Sequence, residues 1–466
     1  MRPRGGLMTP DGDPPRAREF RQNDASRGHA RLHTALQELK DLLEPRLNCI
    51  AEHPLPPGEP HEGSPDWATA RFNLGLALAQ RADRDRSQNW ELAIAAFEDA
   101  LSVWTREHNP VQWAAARMNL GVAFRERLAG ERSDNQERAI AALEESLLVV
   151  TRERNPQQWA DARMNLGIAY WERLAGDRSQ NRERAIQAFD DSLSVWTRDD
   201  NPEDWATAQL NLAFAYQERD GGDREECRER AIAAFENSLS VFTREHNPGE
   251  WAAACMSLGI AYWGRFAGDR SQNQERAIAA FGNTLSVCTR EANAERWAAT
   301  RLNLGIAFWE RLAGDQAQNQ EQAIGAFEDA LSVWTRKADA ERWAAGRMKL
   351  GVAYLECLTG DRSQNREQAI AAFEDAISVW TRDVNPDGWA AAQMKLGIAY
   401  RERLAGNRSE NRERAIAAFE EALRVWVGER NPEEAAVARA NLDAAYRDRF
   451  AEWVENRVSC NSSNII

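Results

Sequence analysis

Histidine and cysteine are scarce, with six of each in 466 residues. No two cysteines have the Cys-x-x-Cys spacing of a metal site, and we expect reduced thiols, as is usual for a cytoplasmic protein. Neither a glycine-rich phosphate loop nor a His-Glu-x-x-His motif occurs. The sequence therefore predicts no metal, no cofactor and no catalytic activity.

Long apolar runs and an excess of positive charge are also lacking. No stretch approaches the ~18 apolar residues of a membrane span. Arginines near the N-terminus, Arg2, Arg4 and Arg16 among them, are not followed by the apolar region of a secretory signal. The net charge is −14, which disfavours nucleic acid and anionic membranes as partners. We expect a soluble cytoplasmic protein.

Tryptophan is abundant, and it reveals an internal repeat of 46 residues. One series recurs at this interval without a gap: Trp67, Trp113, Trp159, Trp205, Trp251, Trp297, Trp343 and Trp389. A fixed period of this size is the signature of a repeat array, in which stacked neighbours bury a continuous core. We predict eight repeats over 67–434, and we expect the tryptophans of this series to serve packing.

Within one repeat the pattern predicts two antiparallel helices. Asn155-Pro156 suits the start of a first helix, which should end near Gly176, because glycine readily adopts the left-handed conformation after a last turn. Asn181 is expected to cap a second helix that carries apolar residues at helical spacing. The predicted fold is all-α, a solenoid of stacked antiparallel helix pairs.

The flanking segments differ from the repeats. Residues 1–30 are predicted to be disordered and 31–45 to form a short amphipathic helix, followed by a proline-rich linker at 46–66. Residues 435–453 read as a C-terminal capping helix and 454–466 as a tail. Because that cap is polar, end-to-end stacking is disfavoured and a monomer is favoured.

The repeats resemble the tetratricopeptide family. The residues that carry the resemblance recur in each repeat, for example Leu166, Gly167, Tyr170, Ala185, Phe189 and Ser192. They differ from it in length, since the family repeat has about 34 residues. Long repeats of this kind resemble arrays found beside caspase-like (CHAT-type) peptidase or signalling domains. The resemblance implies a right-handed superhelix whose concave side is lined by the first helices and binds peptides.

Two sets of positions on the first helices are candidate ligand contacts. The asparagine row lies directly before the Leu-Gly pair of most repeats, or before Leu212-Ala213, and comprises Asn73, Asn119, Asn165, Asn211 and Asn303, continued by Lys349 and Lys395. The resemblance implies that such asparagines clamp a peptide backbone, and the lysines suit a carboxylate. The alternative is that each asparagine ties its own helix to its neighbour.

The variable row lies six positions further along each first helix, and it includes Trp171, Trp263 and Trp309. These tryptophans could anchor a ligand, since aromatic side chains are frequent anchors in protein interfaces. The alternative for them is packing against a neighbouring helix. The sequence does not decide between the two.

The predicted function is that of a protein–protein interaction scaffold that binds a peptide or a partner helix on its concave face. The alternative is a regulatory or sensor arm of a signalling or caspase-like peptidase system whose effector domain is absent from this chain.

Overall fold

The computed structural model describes residues 62–81, 86–219, 222–426 and 431–463, with side chains up to 452. The predictions for 1–30 and 31–45, and for most of the 46–66 linker, lie outside these ranges. The described residues belong to two compact blocks, which divide in the sequence after Gly268, and each block is described by itself. Every regular element in the described ranges is a helix, and none is long and apolar enough to span a membrane.

The first block contains nine helices. They are α1 Pro65–Gln80, α2 Arg86–Val103, α3 Pro110–Glu126, α4 Arg132–Ser146, α5 Pro156–Glu172, α6 Arg178–Leu193, α7 Pro202–Gln217, α8 Arg224–Leu239 and α9 Pro248–Gly264. Odd-numbered helices are the first helices of their repeats, and even-numbered helices are the second.

The second block contains eight helices. They are α10 Arg270–Leu285, α11 Ala294–Trp309, α12 Gln316–Leu331, α13 Ala340–Glu356, α14 Arg362–Ile377, α15 Pro386–Arg401, α16 Arg408–Val425 and α17 Pro432–Ser463. The last helix continues ten residues beyond position 453, where the capping helix was predicted to end. In both blocks the order of helices confirms an all-α helical repeat.

The two helices of a repeat approach closely at one glycine. A Cβ atom on Gly167 would lie only 2.6 Å from the ring of Phe189, which is 1% exposed. Only a residue without a side chain allows α5 and α6 to pack at this distance. The Leu-Gly and phenylalanine positions of the repeat are therefore the two sides of one helix contact.

The loop between the helices differs from its prediction. The Oδ1 of Asp177 accepts a hydrogen bond from the backbone N–H of Gln180, so Asp177 and not Asn181 caps α6. Asn181 lies inside the helix, buried, and its Nδ2 donates to the carbonyl of Ala175 at 2.8 Å. Gly176, which lies between Ala175 and Asp177, has a φ of 78°. Asn181 thus fixes the loop rather than capping the helix.

The start of each first helix is only partly as predicted. Asn155 precedes α5, yet its side chain makes no capping hydrogen bond. In the second block Asn385 does cap α15, because its Oδ1 accepts from the N–H of Gly388 at 2.9 Å. The Asn-Pro pair therefore marks the helix start in both cases, although only one of these side chains caps it.

Neighbouring repeats share an apolar core. Ile94 and Phe97 of α2 pack in one cluster with Leu120 and Ala123 of α3, which belongs to the next repeat. All four side chains are at most 6% exposed. A single helix pair could not bury these residues alone, and stacking is therefore required for stability.

Ion pairs follow the same contact between repeats. Arg173 at the end of α5 binds Glu137 of the preceding second helix through two hydrogen bonds of 2.7 and 2.8 Å. The equivalent pairs are Arg127–Glu91, Arg219–Glu183, Arg265–Glu229, Arg311–Glu275, Arg403–Glu367 and Arg449–Glu413. We call these pairs the arginine–glutamate ladder.

Candidate functional site

The asparagine row of the first block lies on successive first helices, where its members are fully or partly exposed. Asn119, Asn165 and Asn211 each donate from Nδ2 to the backbone carbonyl four residues earlier, at 2.9 Å. Asn73 on α1 is exposed. Each of the three bonds stays within its own helix, and it holds the carboxamide in one orientation.

A side chain of the variable row joins neighbouring positions of the asparagine row. Arg125 of α3 donates from Nη1 to the Oδ1 of Asn165 on α5, at 3.2 Å, and from Nη2 to Glu126 at 3.3 Å. The two rows therefore form one surface across α3 and α5. For Asn165, the bond from Arg125 agrees with the alternative that the asparagine ties its helix to a neighbour.

A carboxylic acid beside this surface has an altered acidity. Asp161 lies one turn before Asn165, and burial raises its pKa to about 7, with a further contribution from the negative charge of Asp204. At the equivalent position α3 has Ala115 and α7 has Thr207. Of these three equivalent positions, only that of Asp161 has an ionisable side chain.

The second block presents its part of the asparagine row differently. Asn303 is 0% exposed, so it is not available to a ligand in this structure, which was not expected. Lys349 is partly buried, and burial lowers its pKa although Glu310 opposes the shift. Lys395 lies 3.4 Å from the carboxylate of Glu356. Both lysines therefore have an acidic neighbour.

The tryptophans of the variable row do not share one environment. Trp171 is 7% exposed and stacks on Phe214 of the next first helix, with ring centroids 6.4 Å apart. The guanidinium of Arg182 lies 5.4 Å from the ring. Trp171 therefore packs against a neighbouring helix, the alternative given above. Trp263 and Trp309 are only partly buried, and both retain surface that a ligand can reach.

A further row of apolar side chains was not predicted as a surface. Its members lie just after first helices, except Phe450, which lies within α17, and all are more than half exposed: Leu128, Leu174 and Phe266 in the first block, then Leu312, Leu358, Leu404 and Phe450 in the second. The sequence signal is the apolar residue two positions after the glutamate in most of these repeats, at the predicted helix end.

These loops are held in place from the preceding repeat. The backbone N–H of Leu174 donates to the Oε1 of Gln136, and that of Leu358 donates to Gln320, at 3.0 and 2.9 Å. The exposed leucines therefore project from fixed backbone.

Comparison with known proteins gives no match in sequence: no family model matches the chain, and no curated protein is significantly similar to it. In structure, the apo form of the quorum sensor NprR from B. thuringiensis is similar, with a TM-score of 0.51 and 12% identity over 88% of this chain and 99% of that chain.

Two further solved structures align with lower scores. The C-terminal part of a TPR repeat-containing protein from Cytophaga hutchinsonii has a TM-score of 0.42 and 12% identity, and covers 70% of this chain and 99% of that chain. The APC/C hetero-tetramer Cut9–Hcn1 has a TM-score of 0.39 and 16% identity over 81% of this chain. The match spans 62% of the Cut9–Hcn1 chain, less than two thirds of its length.

The likeness to NprR concerns the fold, since the identity is low. It agrees with the helix order of both blocks. The protein has an all-α helical-repeat fold, as the resemblance to tetratricopeptide repeats implies.

Proposed function

We propose that this chain is a protein–protein interaction scaffold that binds an extended peptide across the first helices of its first block. One observation carries the proposal, namely the anchored and partly exposed carboxamides of Asn119, Asn165 and Asn211. A carboxamide both donates and accepts hydrogen bonds, as a peptide backbone does. One N–H of each carboxamide is hydrogen-bonded to its own helix, so the other N–H of that carboxamide points in a constant direction.

The spacing of the row suits an extended chain. Packed helices lie roughly 8–10 Å apart, and Arg125 of α3 reaches Asn165 of α5 directly. An extended peptide advances about 3.3 Å per residue. About three peptide residues would therefore separate contacts with successive asparagines. The variable row, with the partly exposed Trp263 beyond Asn211, would supply the contacts that depend on the peptide's sequence.

A library of random peptides displayed on phage tests the proposal with the full chain. Peptides selected on the wild-type protein are synthesised, and their affinities are measured by calorimetry. A triple variant, Asn119→Ala with Asn165→Ala and Asn211→Ala, should bind them about 100-fold more weakly, since each hydrogen bond contributes about 1 kcal/mol. Circular dichroism should show unchanged helicity.

The matched control uses Gln187→Ala with Asn283→Ala. Both amides are exposed on second helices and not on first helices, and the control should bind the selected peptides as the wild type does. Equal affinity of the triple variant and the wild type would show that the peptides bind elsewhere, and the proposal would then be rejected.

A further inference from the structure

The first helix of the array is exposed where its equivalents in later repeats are buried. On α1, Ala70 is exposed while Leu74 and Ala77 are partly exposed. The same three positions on α3 are at most 3% exposed: Ala116, Leu120 and Ala123. One apolar face of α1 therefore has no cover from the described part of the chain.

In later repeats this face is covered by the second helix of the preceding repeat. Ile94 and Phe97 of α2 share a cluster with Leu120 and Ala123 of α3. In the second block, Ile370 and Phe373 of α14 share one with Leu396 and Ala399 of α15. The open face of α1 thus lacks contact with the isoleucine and the phenylalanine that a preceding second helix supplies in later repeats.

The sequence before α1 contains the pattern of a second helix. Ala35-Leu36-x-x-Leu39-x-x-Leu42-Leu43 has the spacing of Ala139-Ile140-x-x-Leu143-x-x-Ser146-Leu147, at α4 and the residue that follows it. In this register Leu36 corresponds to the isoleucine and Leu39 to the residue that is phenylalanine in most repeats. Both are large and apolar, as a cover for Leu74 and Ala77 requires.

The departures from the pattern also agree with this register. Ser146 is 0% exposed, and each repeat of the array has a small residue at this position of its second helix. In those repeats a first helix of the same repeat precedes the second helix. No such first helix would precede Leu42, so a larger residue can occupy its position. Glu144 accepts a hydrogen bond from the hydroxyl of Tyr170 in the next first helix. Its counterpart is Lys40, and the counterpart of the tyrosine is Leu78 on α1. The acid and the hydroxyl are therefore absent together.

The connecting chain is long enough for this contact. Residues 46–64 span at most about 65 Å when extended, whereas neighbouring helices lie roughly 8–10 Å apart. The attachment to α1 also keeps the segment at a high effective concentration, which favours it over a separate molecule.

We propose that residues 31–45 form the second helix of an incomplete repeat and cover the open face of α1 in the same chain. Leu36 and Leu39 pack on Leu74 and Ala77, and the helix closes the N-terminal end of the array. This end then offers no apolar surface to a second copy. The proposal does not depend on peptide binding by the asparagine row.

Hydrogen exchange of the full chain, followed by mass spectrometry, tests this cap. In a variant with Leu36→Asp and Leu39→Asp, the amides of α1 should exchange about tenfold faster or more, because the helix loses its cover. The amides of α5 should be unchanged. A control with Thr34→Asp and Gln37→Asp has the same added charge on the opposite side of the predicted helix, and it should exchange as the wild type does.

Three results would overturn the proposal. The first is exchange of α1 at the wild-type rate in the Leu36/Leu39 variant, and the second is an equal loss of protection in α5. The third is protection of α1 that rises with protein concentration, since a second copy and not residues 31–45 would then cover the face.

Discussion

Arg173 and Glu137 form a two-point ion pair between neighbouring repeats, with Nε–Oε1 at 2.7 Å and Nη2–Oε2 at 2.8 Å. The guanidinium also donates to Asn181 at 3.3 Å, which in turn holds the loop of its own repeat. One side chain thus connects the preceding second helix, its own helix end and the loop. The arginine–glutamate ladder repeats this contact along each block.

The ladder is interrupted once within the second block, and this gives a first prediction. Cys357 occupies the arginine position opposite the exposed Glu321. Cys357→Arg should raise the free energy of unfolding by about 0.5–1 kcal/mol at low salt, the usual contribution of a partly exposed ion pair. Urea unfolding measures the effect, which should diminish in 1 M salt. Cys357→Ser is the control, and equal stability of the two variants would contradict the prediction.

The close approach at Gly167 gives a second prediction. Gly167→Ala should lower the free energy of unfolding by about 1–3 kcal/mol, because the new methyl group meets the ring of Phe189. Ala213 stands at the equivalent position of α7, so a small shift of the helices accommodates it and the lower value is expected.

The control for this prediction is Gly282→Ala, the same chemical change inside α10, where a Cβ atom meets nothing within 4 Å. It should be neutral or stabilise the protein by up to about 1 kcal/mol, because alanine favours the helix. Denaturant unfolding measures both. If the two variants lost the same stability, the contact with Phe189 would not be the cause.

The regular part of the fold followed from the sequence because its determinants are local and are repeated. The spacing of Leu166, Gly167 and Tyr170 on one helix, and of Ala185 and Phe189 on the next, specifies which faces pack. The pattern recurs through eight repeats and predicts the same packing in each of them. The interval of 46 residues then places the helices of every repeat.

What could not be predicted depends on surroundings that vary between repeats. Asn181 was assigned as a cap, although Asp177, four residues earlier, takes that role once the loop has formed. The burial of Asn303 and of Trp171 depends on the helices packed around them. A row of like residues in the sequence therefore does not guarantee a row of like exposure.

The acidity of Asp161 gives a third prediction. Its pKa is raised to about 7, mainly by burial, against about 3.9 in an unfolded chain. The folded state therefore binds the proton more tightly, and this group lowers the free energy of unfolding as the pH rises from about 4 to about 7. Asp161→Asn should remove this part of the pH dependence, so that its stability relative to the wild type increases between pH 5 and pH 8.

Urea unfolding at pH 5, 6, 7 and 8 measures this dependence. Asp199→Asn, at an exposed position, makes the same change of charge and is the control. Its curve should remain parallel to that of the wild type. A parallel curve for Asp161→Asn would mean that the carboxyl is already ionised throughout this range.

The different environments of the tryptophans give a fourth prediction. Trp171→Ala should cost about 3–5 kcal/mol, because it removes a buried side chain that stacks on Phe214. Trp309→Ala should cost less, since that ring is only partly buried. Thermal and urea unfolding compare the two. An equal loss of stability would show that Trp309 also has mainly a packing role.

The contacts between repeats have a consequence for how the chain folds. The ion pair of Arg173 with Glu137 spans 36 positions, and the bond of Arg125 to Asn165 spans 40. These separations are short beside the 466 residues of the chain, and low contact order is associated with rapid folding. A helical array of this kind can begin to fold in any repeat and then propagate to its neighbours. We therefore expect the chain to acquire structure while its later repeats are still being synthesised.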